Sequence, residues 1–339
     1  MTSREIVRRA LDLRHPERVP RDLWVLPIAQ SAYPKETEAI SRDFPGDFGH
    51  PDYNPPQAAC VRGDQYRKGL YTDEWGCTFT SIQDGVIGEV KEPLVARWSD
   101  VGKVRPPREL LGKGMERVNR SCAASDRFMF GACCPRPWER MQFLRGSANL
   151  YLDVMDQPKE FFALRQIVHY YFLEELRIWA KTDVDALMFM DDWGTQRALQ
   201  IPPPLWRELF KPLYRDYCDI AHEHGKKIFM HSDGHIFEIY EDLIEVGVDA
   251  VNSQLFCMDI EEIGRRFKGR ITFWGELDRQ HVLTASDPAV AREAVRRVAA
   301  ALYDPAGGVI AQCEFGAASR PANVRAMFEE WAHIDADRR

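Results

Sequence analysis

Several signals that would place a protein in a special class are missing from this 339-residue sequence. No apolar run reaches the roughly 18 residues that a membrane-spanning helix needs. The first residues, MTSRE, lack the charged and then apolar plan of a secretory signal peptide. We therefore expect no membrane association and a cytoplasmic location.

Positive charge and paired cysteines are also lacking. The 45 Lys and Arg residues are outnumbered by 52 Asp and Glu residues, and the formal net charge is -7, so nucleic acid is not an expected partner. There is no CxxC motif that would indicate a zinc ribbon or a redox pair. The eight cysteines follow no disulfide spacing, and reduced thiols are expected.

An alternation of short apolar strands and longer helical segments becomes regular after about residue 127. The predicted strands are 18–25, 127–131, 185–192, 226–234, 249–254, 270–276 and 307–314. The predicted helices are 3–14, 137–153, 157–182, 203–225, 236–246, 259–268, 287–303 and 321–332. This order implies right-handed βαβ units and a parallel sheet. Because no glycine-rich fingerprint follows the first strand, the sequence favours an α/β fold with a single (β/α)8 TIM barrel over residues 1–339.

The stretch from about residue 28 to 120 interrupts this pattern, since it is irregular and rich in proline. Within it, residues 72–79 and 85–90 predict a β-hairpin. A long insertion with many aromatic residues predicts a lid or a substrate wall rather than a disordered linker.

Polar side chains stand at the ends of five predicted strands, where the active site of such a barrel lies. They are Asp191 and Asp192, His231 and Asp233, Asn252 and Gln254, Glu276 and Asp278, and Cys313 and Glu314. His231 and Asp233 are two positions apart, so on a strand their side chains leave the same face. This convergence predicts one site assembled from several strands.

A metal ion held by His231, Asp233, Glu276 and Cys313 is one hypothesis for this site. An imidazole, a thiolate and one or two carboxylates suit zinc, which keeps a position open in catalytic sites. Taken alone, each of these residues could also have a purely structural role. A free cysteine packs as a small hydrophobe, and a lone histidine often makes only structural hydrogen bonds.

Other residues suggest acid–base chemistry and substrate binding. Asp191 and Asp192 predict a general acid and base, in which one carboxylate raises the pKa of the other. The alternative is that adjacent strand residues face opposite ways, so that one aspartate only caps the following loop. Asn252 and Gln254 offer neutral hydrogen bonds for orienting a substrate. Trp24 and Trp193 are candidate walls of a pocket for a ring-bearing ligand.

Several stretches of the chain resemble the uroporphyrinogen decarboxylase superfamily. They are DDWGTQ at 191–196, KKIFMHSDG at 226–234, DLIEVGVD at 242–249, FWG at 273–275, CEFG at 313–316 and PANV at 321–324. The resemblance spans nearly the whole chain and implies a (β/α)8 barrel. The RQAGRY motif of the haem-pathway decarboxylases has no counterpart here, because residues 25–31 read VLPIAQS. Tetrapyrrole decarboxylation is therefore not expected.

The resemblance favours the corrinoid-linked methyltransferase branch, whose members bind zinc through an HxC pair and a later cysteine. It carries His231 and Cys313 onto those positions, while Asp233 stands in place of the first cysteine and Glu276 is the candidate replacement ligand. The implied reaction is zinc-dependent transfer of a methyl group from a methoxylated substrate to a corrinoid, with Asp191, Asp192 or Asp233 orienting substrate or managing protons. The corrinoid would belong to a partner protein, because the chain has no DxHxxG signature.

Two other interpretations stay open at the level of the sequence. One is a corrinoid-independent, metal-dependent decarboxylase or lyase acting on a small polar acid. The other is a binding protein that has a pocket but no metal. The methyl donor and the direction of transfer are not specified by the sequence, and a homodimer is expected only because such barrels often dimerise.

Overall fold

The computed structural model describes residues 1–337 of the chain. The strands are β1 Arg21–Val25, β2 Phe48–Gly49, β3 Gly69–Thr72, β4 Thr78–Ser81, β5 Glu89–Val90, β6 Phe128–Met129, β7 Ala186–Met190, β8 Lys227–Ser232, β9 Ala250–Ser253, β10 Thr272–Trp274 and β11 Val309–Phe315. The helices are α1 Ser3–Leu11, α2 Pro27–Ala32, α3 Pro34–Asp43, α4 Val118–Ala123, α5 Pro137–Arg145, α6 Ser147–Asp156, α7 Lys159–Ala180, α8 Pro203–Leu209, α9 Lys211–Glu223, α10 Tyr240–Val246, α11 Ile260–Phe267, α12 Ala289–Leu302 and α13 Pro321–Ala336. Four short 3-10 helices lie at Trp98–Lys103, Arg108–Leu110, Phe237–Ile239 and Leu255–Cys257.

The central element is a parallel sheet of six strands in the order β1-β11-β10-β9-β8-β7. Its strands are largely apolar and buried, as expected where helices cover the sheet. In the register of β8, His231 lies opposite Met190 on one side and Asn252 on the other. The fold is therefore α/β with a six-stranded parallel sheet that forms a half-barrel, which confirms the α/β class and the parallel sheet of the prediction.

A second parallel pair, β2 with β6, lies between the two edge strands of this sheet. The Asp47 N–H, just before β2, donates to the Arg21 carbonyl on β1 at 2.9 Å. The Gly131 N–H, just after β6, donates to the Ala186 carbonyl on β7 at 2.9 Å. Each edge of the six-stranded sheet thus has backbone hydrogen bonds to the short pair.

The two faces of the six-stranded sheet carry separate apolar clusters, and we call them the inner and the outer face. The inner cluster comprises Val7, Phe48, Phe128, Phe130, Ala186, Phe229, Ala250, Trp274 and Ile310. The outer face packs against the helices in the main core. Side chains alternate between the faces along each strand, so that on β11 Ile310 belongs to the inner cluster while Ala311 and Cys313 belong to the main core.

Two predicted helices are each divided in two by local chemistry. The segment 137–153 is α5 and α6, separated at Gly146, whose φ of +83° ends the first helix. The segment 203–225 is α8 and α9, and Pro212 stands in the first turn of the second. A proline fits a helix start but cannot continue the hydrogen bonds of a preceding helix.

The insertion predicted at about 28–120 is more regular than expected. It contributes α2, α3 and β2, and its centre is an antiparallel sheet of β3, β4 and β5. The predicted strand at 72–79 includes the turn between β3 and β4, where Asp73 Oδ1 accepts the N–H groups of Trp75 and Cys77. A carboxylate that caps its own turn in this way competes with strand pairing. Among residues 1–337, no helix is both long and apolar enough to span a bilayer.

Candidate functional site

His231 ends the inner face of β8 and is held in one orientation by an amide. Asn252 Nδ2 donates to the Trp274 carbonyl at 2.5 Å and to Gln312 Oε1 at 3.1 Å, so its Oδ1 faces His231 Nδ1 at 2.6 Å. Because Oδ1 can only accept, Nδ1 carries the hydrogen. Gly275 leaves room for this chain of contacts, since a Cβ there would lie 2.3 Å from Gln312 Oε1. In the neutral ring, the Nε2 lone pair is therefore free for another partner.

Two carboxylates surround that free nitrogen. Asp192 Oδ1 lies 3.5 Å from His231 Nε2, and Asp233 Oδ1 lies 3.7 Å from it. Among residues 1–337, these three side chains form a group whose potential ligand atoms all lie within 4.8 Å of one another. The aspartate side chains are 39% and 30% exposed, so a ligand can reach them. We call this group the Asp-His-Asp cluster.

Close contact between the loops after β7 and β8 brings the two aspartates together. The Asp233 N–H donates to Asp192 Oδ1 at 2.9 Å, and the Gly194 N–H donates to the Asp233 carbonyl at 3.0 Å. Gly194 faces Gly234, and a Cβ on either residue would lie 2.3–2.4 Å from backbone atoms of the facing loop. Gly234 also has a φ of +78°, which glycine adopts without strain. Both glycines are therefore needed for this arrangement.

Arg279 links three carboxylates beside the cluster. Its guanidinium contacts Glu314 Oε1 at 2.5 Å, Glu276 Oε1 at 3.4 Å and, by a short hydrogen bond, Asp233 Oδ2. Burial lowers the pKa of Arg279, but the negative charges of Glu276, Asp233 and Glu314 raise it by more, so that the guanidinium stays charged. Asp233 Oδ1 is left buried and without a hydrogen-bond partner.

Glu276 is only 3% exposed, and neither of its carboxyl oxygens has a hydrogen-bond partner. Burial raises its pKa to about 8, although the positive charge of Arg279 opposes the shift. It is not a member of the Asp-His-Asp cluster. At neutral pH this side chain therefore carries a proton for most of the time.

A cavity of about 370 Å³ with aromatic walls lies next to His231 on the inner face. Its lining residues are Asp22, Leu23, Trp24, Phe48, Gly49, His50, Phe130, Met188, Met190 and Trp274. The Trp24 ring centroid lies 5.3 Å from that of His231. The volume and the apolar walls suit a ligand with one aromatic ring.

Asp22 is the carboxyl group of this cavity. The indole N–H groups of Trp24 and Trp274 both donate to its Oδ2 at 2.9 Å. Burial raises the pKa of Asp22 to about 6, while these two hydrogen bonds act in the opposite direction. The carboxyl therefore changes its charge close to neutral pH.

A second cavity, of about 490 Å³, lies between the insertion and helices α5 and α7. Its lining includes Arg136, Arg140 and Glu175. Burial raises the pKa of Glu175 to about 8; the negative charge of Glu74 adds to the shift, and the two arginines oppose it. Glu175 is therefore mostly protonated at neutral pH, and it is not a member of the Asp-His-Asp cluster.

Several of the residues predicted for the site are not brought to the cluster. Asp191 is fully buried on the outer face, where it accepts the N–H groups of Trp138 and Glu139 and the hydroxyl of Tyr214. Asp191 and Asp192 thus face opposite ways, as in the alternative interpretation, but Asp191 caps the first turn of α5 and contacts α9 rather than capping the following loop. Burial also raises the pKa of Asp191 well above its usual range.

Cys313 lies in the main core on the outer face of β11, between Gln312 and Glu314, and it is fully buried. It is not part of the Asp-His-Asp cluster. Burial raises the pKa of its thiol well above the ordinary value, so the thiolate that zinc requires is disfavoured. The alternation of side chains along a strand separates it from His231.

The four predicted substrate-binding residues have different surroundings. Trp24 lines the aromatic cavity, and Asn252 orients His231 rather than facing the cavity. Gln254 accepts the Gly234 N–H at 3.1 Å and thus supports the loop after β8. Trp193 is fully buried, stacks on Trp138 at 4.9 Å and donates to the Tyr214 hydroxyl, so it is a core residue.

Arg279 and Asp22 were not among the predicted site residues. Asp22 could have been found, because it precedes Trp24 by two positions in a predicted strand and therefore shares its face. Arg279 follows its strand by five positions in a loop, where sequence periodicity gives no direction for a side chain.

Comparison with known proteins identifies the family of the chain. A family model described as "Uroporphyrinogen decarboxylase (URO-D)" matches residues 71–333, which is well over half of the chain. The chain belongs to the uroporphyrinogen decarboxylase family. This confirms the resemblance predicted from the sequence motifs. No curated protein matches this URO-D chain.

Solved structures similar to the URO-D chain include a "methyltransferase from Methanosarcina mazei", with 12% identity and a TM-score of 0.69. The alignment covers 98% of this chain and 99% of that one, and at this identity the likeness shows the fold alone. An endo-beta-1,4-xylanase from Gloeophyllum trabeum aligns over 94% of this chain and 98% of its own, with 12% identity. Its TM-score of 0.40 is too low to support a conclusion about the fold or function of this chain.

Proposed function

We propose that this URO-D protein is a zinc-dependent methyltransferase that moves a methyl group from a methoxylated aromatic substrate to a corrinoid on a partner protein. The observation that carries the proposal is the Asp-His-Asp cluster beside a cavity with aromatic walls. The family membership and the fold shared with a methyltransferase support an enzyme of this general type.

The residues of the cluster fit a metal ion on three grounds. The amide of Asn252 fixes the hydrogen on Nδ1 of His231, which is the usual partner arrangement of a metal-binding histidine. Asp233 Oδ1 is buried without a hydrogen-bond partner, and a bound cation or a proton would compensate for this. One nitrogen and two oxygen donors match a catalytic zinc site with three protein ligands. We therefore propose His231, Asp192 and Asp233 as the ligands.

The sequence-based ligand set also included Glu276 and Cys313. Glu276 Oε1 lies 3.4 Å from the Arg279 guanidinium, and its mostly protonated carboxyl suits it to supply or hold a proton near the cluster. Cys313 is the weaker candidate, because it is packed on the outer face of the sheet. The proposal therefore keeps zinc and His231 but assigns Asp192 and Asp233 as ligands in place of Glu276 and Cys313.

In this function the protein's own residues bind, orient and shield the substrate. The rings of Trp24, Phe130 and Trp274 stack around an aromatic ring and exclude water from it. Arg279 holds Asp233 by Oδ2, so that Oδ1 is directed to His231. A zinc ion in the cluster would act as a Lewis acid on the ether oxygen of the substrate. The exposed side of the cluster leaves an approach for the partner's corrinoid.

A corrinoid-independent decarboxylase or lyase is the alternative within this family. Such an enzyme needs a cation that is free to bind the carboxylate of its substrate. Beside the cluster, Arg279 is already paired with Asp233, Glu276 and Glu314. In a metal-dependent lyase the metal ion alone would then have to bind the carboxylate, whereas a neutral ether requires no further cation.

We further infer that the eight parallel strands close into the (β/α)8 barrel expected from the sequence. The hydrogen bonds from Asp47 to Arg21 and from Gly131 to Ala186 support closure through the short pair β2 and β6. In such a barrel, the Asp-His-Asp cluster stands at the carboxyl ends of the strands, where active sites of this fold lie.

The test is a methyl-transfer assay with zinc-loaded protein, free cobalamin reduced to the cobalt(I) state, and a panel of methoxybenzenes. We expect methylcobalamin and the matching phenol to appear in equal amounts. His231→Ala and Asp233→Asn should each lower the rate by at least about 100-fold, because metal ligands are lost. His333→Ala, which changes an exposed histidine distant from the cluster in sequence, is the matched control and should keep the wild-type rate.

Two results would contradict the proposal. Zinc-loaded protein that transfers no methyl group from any methyl ether, but releases carbon dioxide from a carboxylic acid, would establish the lyase alternative. Methyl transfer that continues in His231→Ala at the wild-type rate would remove the cluster from the mechanism.

A further inference from the structure

Asp22 is not a member of the Asp-His-Asp cluster, yet it lies in the cavity that the proposed function assigns to the substrate. The other lining residues are apolar or aromatic except for His50 and the glycine. Burial lowers the pKa of His50, and its ring is hydrogen-bonded to the Phe130 backbone, so it is neutral and already has a partner. Asp22 is therefore the group of the cavity that can recognise a polar substituent.

Two tryptophans fix the direction of this carboxyl group. The indole N–H groups of Trp24 and Trp274 converge on a single oxygen, Oδ2, from β1 and β10. The same two rings pack edge to face at 5.2 Å, so they hold the carboxyl and also form the wall of the cavity. A carboxylate has about four acceptor positions, and two indole donors do not fill them.

We propose that Asp22 accepts a hydrogen bond from a hydroxyl group on the aromatic ring of the ligand. The cavity would then prefer phenolic rings to rings of the same size that carry only apolar substituents. This inference rests on the proposed function only in taking the cavity as the ring site. A site that is built to hydrogen-bond a hydroxyl disfavours an analogue without it, because the buried acceptor loses its partner.

The charge of Asp22 gives the proposal a pH dependence. A hydroxyl donor binds the ionised carboxylate, so phenol binding should weaken as the pH falls through about 6. The titratable and charged groups around Asp22 are Asp47 and His50 on the β2 side, Cys313 and Glu314 on β11, and His231 beyond the Trp24 ring. Titration of these neighbours should affect both members of a ligand pair that differs only in the hydroxyl group. The ratio of the two affinities therefore reports on Asp22.

The experiment measures binding of 4-methoxyphenol and of 4-methoxytoluene, which has a methyl group in place of the hydroxyl. Quenching of tryptophan fluorescence is the readout, since two indoles line the cavity, and no methyl transfer is needed. We expect the wild type at pH 7.5 to bind the phenol at least 10-fold more tightly than the toluene. Asp22→Leu should reduce this preference to less than about 3-fold, whereas Asp52→Asn, an exposed control, should retain it.

A second measurement uses only the wild type, in case Asp22→Leu does not fold. Affinity for the phenol should fall between pH 7.5 and pH 5, while affinity for the toluene stays constant. Equal affinities for the two ligands, an unchanged preference in folded Asp22→Leu, or no ring binding at all would overturn the proposal. A phenol preference in a protein without methyl transfer would overturn the proposed function alone.

Discussion

At the scale of single residues, the orientation of His231 depends on an amide rather than on a carboxylate. Asn252 accepts from Nδ1 only because its own NH₂ group is engaged by Trp274 and Gln312. Asn252→Leu should therefore release the ring and weaken zinc binding by roughly 10- to 100-fold. Competition with a zinc-sensitive dye measures this affinity. An unchanged affinity in a folded variant would mean that His231 needs no such support.

Glu175 gives a second prediction at this scale, on stability rather than on chemistry. Its pKa is raised to about 8 in the folded protein, above its usual value of 4.5, because burial disfavours the charge. The folded state therefore binds a proton that the unfolded state has released between about pH 4.5 and pH 8, so stability falls as the pH rises across this window.

The variant Glu175→Gln lacks this ionisation and should exceed the wild type in stability at pH 9 by about 1–2 kcal/mol, with the difference vanishing near pH 4.5. The full pKa shift would correspond to a larger difference, at about 1.4 kcal/mol per pKa unit. We expect a smaller value because the Glu175 side chain borders a cavity that admits water. Urea denaturation at the two pH values measures the difference. A variant that is less stable than the wild type at pH 9 would contradict the raised pKa.

Part of the candidate site was predictable from the sequence at this scale. The two-residue period of a strand correctly joined His231 with Asp233, and the same period could have separated Asp191 from Asp192. It could not fix the face of Cys313, because the register of β11 against its neighbours depends on the whole sheet. The contacts of Arg279 arise from a loop conformation, which has no periodic signal.

At the scale of elements, the contact between the loops after β7 and β8 decides whether the cluster forms. Gly234→Ala should destabilise the protein by about 2–4 kcal/mol, through backbone strain at a φ of +78° and a clash with Gly194. It should also lower zinc affinity, because Asp192 and Asp233 lose their contact. Chemical denaturation and a zinc titration measure the two effects.

Gly225→Ala is the matched control for this prediction. Gly225 has a φ of +65°, but a Cβ there would meet nothing within 4 Å. It should cost only the backbone strain, about 1–2 kcal/mol, and leave zinc affinity unchanged. Equal effects of the two substitutions on zinc affinity would show that the loop contact does not matter.

The order of strands and helices was predictable because buried parallel strands are continuous apolar runs. The insertion was less predictable, since β2 has two residues and is recognised by its partners rather than by its own pattern. The divided helices are an intermediate case. Gly146 and Pro212 each indicate a helix boundary locally, but the helical spacing of apolar residues continues across both positions.

At the scale of the whole molecule, a bound metal links loops that follow different strands. A ligand that binds only the folded state stabilises it by about 2.7 kcal/mol at 100 times its Kd. Zinc should therefore raise the Tm of metal-stripped protein by a few degrees. Asp233→Asn should show a smaller rise at the same zinc concentration. A Tm that does not respond to zinc would argue against a site in the folded protein.

The partners of the molecule were inferred from the sequence alone and stay predictions. Binding of a corrinoid protein and formation of a homodimer each require an interface with a second chain. The carboxylates of Asp192, Asp233 and Glu314 outnumber the single guanidinium of Arg279 near the cluster, which agrees with binding of a cation there.

The most direct test of the central claim is the zinc content of purified, untagged protein after dialysis against metal-free buffer. The Asp-His-Asp cluster predicts about one zinc per chain in the wild type, the same content in Cys313→Ala, and a loss of zinc in His231→Ala. Zinc that disappears in Cys313→Ala would contradict the proposed ligand set. A folded wild type that neither retains nor takes up zinc would contradict the metal site itself.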